Sequence, residues 1–196
     1  MVAVPCRERV LRAATAAFLT EGYRSSVERI ARRAGVAKQT VYSHFASKDE
    51  LFQAVAREFS TRILVQLESG PGNLRASLVR FAVAYRGRLL SNEGIAMFRI
   101  LLSEIPRFRS VARAVYEGGT GETAHALAAH LKKAMDAGHL RKEDPQFAAE
   151  LLMSMLVGVD RTKRLYGVAQ FAHDDARRAA RIVDCFMRAY STEGNS

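Results

Sequence analysis

Residues 25–52 read SSVERIARRAGVAKQTVYSHFASKDELF, and this stretch decides the fold of the N-terminal part of the chain. Ser25 begins a Ser-x-x-Glu pattern that Glu28 closes, which is typical of the start of a helix. The helix that follows Ser25 should end at Gly35, because glycine accepts a left-handed backbone without steric cost. A second short helix is predicted over residues 38–45. Two short helices that meet at a glycine-containing turn form a helix-turn-helix.

The apolar and polar positions of these two helices separate onto different faces. The apolar side chains that would pack them together are Val27, Ile30, Ala31, Ala34, Val36 and Val41. The polar positions of the second helix then face outward, and they are Lys38, Gln39, Thr40, Ser43 and His44. A helix with such a face fits the major groove of DNA, where side chains reach base edges.

Helical periodicity continues on both sides of this stretch, and the alternation typical of strands is almost absent, so the fold class is all-α. A helix over about residues 4–20 comes before it. Ser47 caps a fourth helix, which ends at the turn Ser69-Gly70-Pro71-Gly72. Further helices are predicted over residues 74–90 and 94–105, after Pro106, and over 122–137, 145–166 and 174–190, with Asp144 and Pro145 opening the helix at 145.

Composition limits the partners and the compartment. The 30 Lys and Arg residues exceed the 20 Asp and Glu residues, and a net charge of +10 suggests a polyanionic partner. No apolar run is long enough to span a membrane and no signal peptide is evident, so we expect a cytoplasmic protein. Cys6 and Cys185 lack metal-ligand spacing and are expected to be reduced thiols. We expect no cofactor and no metal.

Five short groups of residues in the helix-turn-helix stretch carry a resemblance to a known family. They are Ile30-Ala31, Ala34-Gly35-Val36, Thr40-Val41-Tyr42, His44-Phe45 and Ser47-Lys48-Asp49-Glu50-Leu51. In these residues the sequence resembles the TetR family of repressors, closely over residues 7–52 and beyond them only in helix number and length. One departure is Ala37, where the family often has a serine that caps the next helix.

The resemblance implies roles for individual residues in DNA binding. The residues that would approach bases are Lys38, Gln39 and Thr40. Backbone phosphates would be contacted by Tyr42, His44 and Lys48. Ser26 would contact a further phosphate at the N-terminus of its helix. Ser43 shares the outward face. Arg29 belongs to a basic run with Arg32 and Arg33, which is either a phosphate contact or a solvated face. Tyr42 could also be a core aromatic side chain, and Lys48 an ordinary solvated lysine.

The rest of the chain is expected to sense a ligand and to dimerise. The resemblance implies a helix-turn-helix DNA-binding domain over residues 1–46 and a ligand-binding and dimerisation domain over 47–196, joined by the helix 47–69. The last two helices would form a four-helix bundle with a second copy, and the homodimer would bind a palindromic operator in double-stranded DNA. The apolar side chains of the last two helices could instead pack within the core of a single chain.

A ligand pocket is expected between Met97 and Met155. Its candidate lining residues are Met97, Phe98, Leu101, Leu102, Phe108, Tyr116, His125, Met153 and Met155, although such a stripe is also typical of a core. The segment 103–108 and the late Asp144-Pro145 resemble the C-terminal domains of AcrR- and AefR-type regulators, which implies a small hydrophobic or amphipathic effector. Ligand binding would favour a wider spacing of the DNA-binding heads and so lower the affinity for DNA.

Other function classes fit less well. His125 and His130 lie five residues apart, on different helix faces, and no catalytic motif such as HExxH or GxSxG is present, so an enzyme is not expected. The basic residues are spread along the chain, which disfavours a membrane-surface role. A DNA-binding regulator or architectural protein without a ligand stays open.

Overall fold

The computed structural model describes residues 5–68, 73–104, 106, 109–168 and 175–192. These residues form α-helices without a strand, which confirms the predicted all-α class. The helices are α1 (Cys6–Glu21), α2 (Val27–Ala34), α3 (Lys38–His44), α4 (Lys48–Glu68), α5 (Leu74–Leu89), α6 (Asn92–Glu104), α7 (Arg109–Tyr116), α8 (Glu122–Asp136), α9 (Pro145–Leu165) and α10 (Asp175–Ala189). A 3-10 turn, Gly22–Arg24, follows α1, and a π-helical turn, Glu117–Gly121, follows α7. The predicted turn at residues 69–72 lies outside the described residues.

Side-chain caps fix where several helices begin. As predicted, Ser47 caps α4 by accepting a hydrogen bond from the Glu50 amide at 3.1 Å, and Asp144 caps α9 by accepting one from the Gln146 amide at 2.9 Å. The predicted Ser25–Glu28 capping box is wrong. Ser26 caps α2 instead, with its Oγ 3.2 Å from the Arg29 amide nitrogen, while Ser25 is buried. The physical reason is that Val27 is the first helical residue, which makes Ser26 the residue in the extended cap conformation.

The chain divides into two compact units. The first unit contains the described residues up to 59 together with those from 96 to 119, and the second contains 60–95 and the described residues from 120 onward. The predicted division at residues 46 and 47 concerns function rather than packing, and it stays a prediction.

Among the described residues, no helix combines the length and the apolar character needed to cross a lipid bilayer.

The core of the first unit holds α2 and α3 in place. Phe18, Tyr23 and Phe52 form an aromatic cluster, in which the Phe52 ring stands edge-on to both others at 4.9 and 5.1 Å between ring centres. Val41 and Phe45, at the end of α3, are buried in this same core. Met97 of α6 and Val115 of α7 complete this core.

The core of the second unit is built from α5, α8, α9 and α10. Its buried side chains include Leu78, Phe81, Leu127, Leu131, Leu152, Leu156, Val183 and Phe186. A buried arginine, Arg86, crosses this core: its Nε donates to Asp175 Oδ1 at 2.9 Å, and its Nη2 lies 3.0 Å from Asp160 Oδ2. Arg86 also donates to the Leu156 carbonyl. Both charges of each pair are therefore satisfied, which a buried ion pair requires.

Candidate nucleic-acid interface

The turn between α2 and α3 sets the angle at which α3 leaves the body of the first unit. Gly35 adopts φ 66° and ψ 41°, the left-handed conformation that glycine accepts freely. The amides of Gly35 and Val36 donate to the carbonyls of Arg32 and Ala31 at 3.2 and 3.0 Å, which satisfies the end of α2. Ala37, as predicted, offers no side-chain cap to α3. The packing of Val41 and Phe45 therefore holds this short helix.

One face of α3 is free to meet a partner. Val41 and Phe45 are four residues apart and point inward together, so Gln39 and Ser43 occupy the opposite, exposed face. Lys38 and Tyr42 border that face on one side, and Thr40 and His44 border it on the other. The face carries amide, hydroxyl, ammonium and imidazole groups, which are the groups that hydrogen-bond to base edges and phosphates.

Lys38 is held by an ion pair in the free protein. Its ammonium group pairs with the Glu28 carboxylate on α2 and lies 5.9 Å from the centre of the Tyr42 ring. The hydrogen bond from Lys38 lowers the pKa of Glu28 to about 2, and the same pair raises the pKa of Lys38. Both side chains are exposed, so a DNA phosphate can compete with Glu28 for the lysine.

Other predicted phosphate contacts flank α3. Ser26 is exposed at the N-terminus of α2, and Arg29 lies beside it, paired with Glu21 at 2.8 Å. Lys48 opens α4, with its ammonium nitrogen 4.4 Å from the centre of the Tyr23 ring, while the Tyr23 hydroxyl donates to Asp49. The exposed helix start at Ser26 is a place where free backbone amides attract anions.

Comparison with known proteins identifies the family of the chain. Residues 10–55 match the family described as bacterial regulatory proteins, tetR family, and residues 76–192 match the AefR-like transcriptional repressor, C-terminal domain. The chain belongs to the TetR family. Regulators of this family are DNA-binding proteins and not enzymes.

Individual relatives agree with this assignment. A solved TetR-family regulator from Mesorhizobium loti is 28% identical, with a TM-score of 0.80 over 95% of this chain and 97% of that one. The flavonoid-responsive regulator FrrA is also 28% identical, with a TM-score of 0.75 over 96% of this chain and 98% of its own. The A-factor receptor protein of Streptomyces griseus is 28% identical over 80% of this chain. The chain spans about half (54%) of the length of that curated relative.

Sequence reasoning missed one residue beside the interface of this TetR-family protein. The guanidinium carbon of Arg7 lies 5.2 Å from the centre of the Phe45 ring, next to the C-terminal end of α3. A cation this close to a ring face is attracted to it. No local pattern reveals this contact, because Arg7 and Phe45 meet only when α1 packs against α3.

The candidate ligand residues fall into both units. In the first unit Met97 is buried, Leu101 packs against the same core, Phe98 is half-buried, and Leu102 and Tyr116 are exposed. In the second unit Met153 is buried in the core, whereas His125 and Met155 are exposed. Phe108 lies outside the described residues. The structure brings Met97 and Leu101 together, and the pocket itself stays a prediction.

Proposed function

We propose that this TetR-family protein is a homodimeric repressor that binds a palindromic operator and is released from it by a small hydrophobic or amphipathic effector. It would act in the cytoplasm, where its DNA lies. The observation that carries the proposal is the exposed face of α3, where Gln39 and Ser43 stand opposite a buried Val41 and Phe45. A short helix fixed by its inner face can present the same polar groups to base edges at each encounter.

An apolar stripe on α9 supports the homodimer. Phe147 and Val159 are 55% and 66% exposed, Met155 is 38% exposed, and Leu151 between them is half-buried. These side chains recur every four residues and therefore form one stripe along α9, which runs beside the buried Leu152 and Leu156. A second copy of the chain is the occupant that a self-complementary stripe fits best, since two-fold symmetry brings the same stripe from both copies together. Two heads related by such an axis can meet successive major grooves about 34 Å apart.

The packing of the first unit supports a response to a ligand. Met97 of α6 and Val115 of α7 lie in the same core as Val41 and Phe45. An effector that displaces Met97 or Val115 would therefore disturb the core that holds α3. A coupling free energy of about 1–3 kcal/mol, typical of allosteric proteins, changes DNA affinity by roughly 5- to 150-fold.

The relatives support the chemical class of the effector. FrrA, which is described as flavonoid-responsive, is similar to this chain over nearly its full length. A flavonoid is a flat amphipathic molecule of the class that we propose. Methionine side chains adapt their shape to ligands of this kind, and Met97 and Met153 are among the residues predicted to line the pocket.

The experiment that tests the proposed function begins with fragments of genomic DNA. The fragments are bound to the full chain at several salt concentrations, and those that stay bound are sequenced. We expect a palindromic site whose affinity falls steeply as salt rises. Equal retention of all fragments would contradict the proposal and favour an architectural protein.

The effector is then tested on the site that was recovered. A panel of flavonoids and other amphipathic aromatic compounds is titrated into the complex, and release of the DNA is followed by fluorescence anisotropy. A compound that binds the protein and lowers its DNA affinity at least about fivefold supports the proposal. Binding without any change in DNA affinity for every compound would contradict the release mechanism.

A further inference from the structure

A cleft lined by three arginines opens between α1 and α2. Its volume is about 300 Å³, and it is lined by Arg9, Arg12, Ala13, Arg33 and Ala34. Arg9 and Arg12 are three residues apart and therefore share one face of α1. Ala13 and Ala34 are buried beneath them, and their small side chains leave room for a group between the guanidinium groups.

The positive charge of this cleft is only partly balanced by the protein. Arg12 pairs with Glu8 at the surface. Within the described part of the chain, Arg9 and Arg33 make no ion pair and no side-chain hydrogen bond, and both are exposed. Ten donor groups on two unpaired guanidiniums thus face solvent at the edge of one cleft, since each guanidinium carries five. Such planar donors match the oxygens of a phosphate group.

The cleft is separate from the face of α3. Glu28 of α2 points toward α3, where it pairs with Lys38. Arg33 lies five residues further along α2 and therefore points about 140° away from Glu28, toward α1. A group bound in the cleft would lie beside α2 on the side that faces away from Lys38.

We propose that this cleft is a second anion site, which binds one phosphate group through Arg9 and Arg33, with Arg12 beside them. The phosphate comes either from the DNA backbone outside the segment that α3 contacts, or from a free phosphate compound. The DNA source rests on the proposed function, whereas the free phosphate source does not. A DNA phosphate held there would add affinity without adding base preference.

The test uses the full chain and two variants matched in charge. The cleft variant carries Arg9→Gln and Arg33→Gln, and the control variant carries Arg24→Gln and Arg109→Gln. All four arginines are exposed, and each variant removes two positive charges from the same unit. Circular dichroism first establishes that both variants fold as the wild type does.

The first arm measures affinity for a duplex with the recovered site, extended on both sides, over about 50–200 mM salt. We expect the affinity of the cleft variant to depend less steeply on salt than that of wild type, with the magnitude of the slope smaller by about 0.9 for each phosphate that the variant no longer binds. This decrease should be larger than the decrease seen for the control variant. The second arm follows the phosphorus NMR line width of inorganic phosphate as each protein is added without DNA. If wild type broadens the line, the cleft variant does not, and the salt slopes match, the site binds free phosphate.

Two outcomes separate the failures. If both variants change the salt slope equally and all three proteins affect inorganic phosphate alike, the cleft is an ordinary solvated surface and the proposal is overturned. If wild type recovers no specific DNA site, the proposed function fails, while the phosphate arm still decides whether the cleft binds an anion.

Discussion

At the scale of the residue, Lys38 shows how a side chain that we propose contacts DNA is held in the free protein. Its pair with Glu28 places the ammonium group at the edge of the exposed face of α3 rather than leaving it to move freely. On DNA, a phosphate or a base acceptor would replace the carboxylate, so breaking the old ion pair offsets part of the gain from the new interaction. Gln39 and Ser43, at the centre of that face, have no such competing partner side chain in the described residues.

Lys48 provides the clearest prediction for a single phosphate contact. Lys48→Ala should weaken binding to all DNA sequences alike and lower the salt slope by about 0.9, because alanine cannot form the ammonium–phosphate pair. The measurement is the salt dependence of the dissociation constant for two unrelated duplexes. Lys142→Ala removes the same charge from an exposed position in the second unit and serves as the control. An unchanged salt slope for Lys48→Ala would contradict the proposed contact between Lys48 and a DNA phosphate.

Some residues can be predicted from the sequence and others cannot. Val41 is buried and Lys38, Gln39, Ser43 and His44 are exposed as the helical periodicity predicts, because a period of 3.6 residues fixes which positions share a face. The sequence pattern favours Ser25 as the cap of α2 although Ser26 caps it, since two adjacent serines offer the same chemistry and only the first helical residue decides between them. The position of Arg7 over the Phe45 ring depends on tertiary packing, which no local pattern encodes.

At the scale of the element, a buried arginine joins three helices of the second unit. Arg86→Met should lower the free energy of unfolding by about 3–5 kcal/mol, because it leaves the Asp175 carboxylate, only 12% exposed, without its partner. The measurement is urea unfolding followed by circular dichroism. Arg75→Met is the matched control: Arg75 also joins α5 to α10, through Asp184, but in an exposed pair, and its removal should have a much smaller effect. Equal effects of the two variants would contradict a role for burial.

His130 predicts how the contact between α5 and α8 responds to pH. Its Nε2 lies 2.9 Å from Ser77 Oγ, and since that hydroxyl donates to the Leu74 carbonyl, the imidazole is the donor to Ser77. Burial, with a smaller effect from Lys133, lowers the pKa of His130. The folded protein therefore binds this proton less readily than the unfolded chain does. The contribution of the neutral His130 side chain to the stability of the folded protein is fully present above about pH 6.5. This contribution is lost as the pH falls through the lowered pKa.

Urea unfolding at about pH 7.5 and 5.5 measures this effect. We expect His130→Gln to show a smaller decrease in stability between the two pH values than the wild type. His139→Gln changes an exposed histidine just after α8 and should keep the wild-type difference. If the stability of His130→Gln has the same pH dependence as that of wild type, the lowered pKa of His130 does not contribute to this pH dependence, and the prediction is wrong.

The helices themselves are more predictable than their partners. Asp144 and Pro145 mark the start of α9 because capping and proline geometry are local. By contrast, the sequence places Met97 among the candidate pocket residues, and its side chain is buried in the core that also holds Val41 and Phe45. An apolar residue at helical spacing has the same pattern in a core and in a pocket, so the sequence alone does not assign it to the packing of the DNA-binding helices.

At the scale of the whole molecule, dimerisation is the property that the stripe on α9 predicts. Val159→Glu should raise the dimer dissociation constant by more than about a hundredfold, because the interface would bury an unpaired carboxylate from each copy at a cost of several kcal/mol per ion. Sedimentation equilibrium measures this constant. Ala129→Glu adds the same group at an exposed position of α8 and should leave the dimer intact. A wild-type protein that is monomeric, or a Val159→Glu variant that dimerises normally, would contradict the interface.

The central claim is that two copies of α3 read base sequence, and a selection from random DNA duplexes tests it most directly. Wild type and Gln39→Ala are selected side by side at the same salt concentration, and the enriched sequences are compared. We predict a two-fold symmetric site for the wild type, with half-sites about 34 Å apart or a multiple of that. Gln39→Ala should keep the symmetry and the spacing but lose the preference at one position in each half-site. No enriched sequence for the wild type, or identical preferences for the two proteins, would contradict the claim.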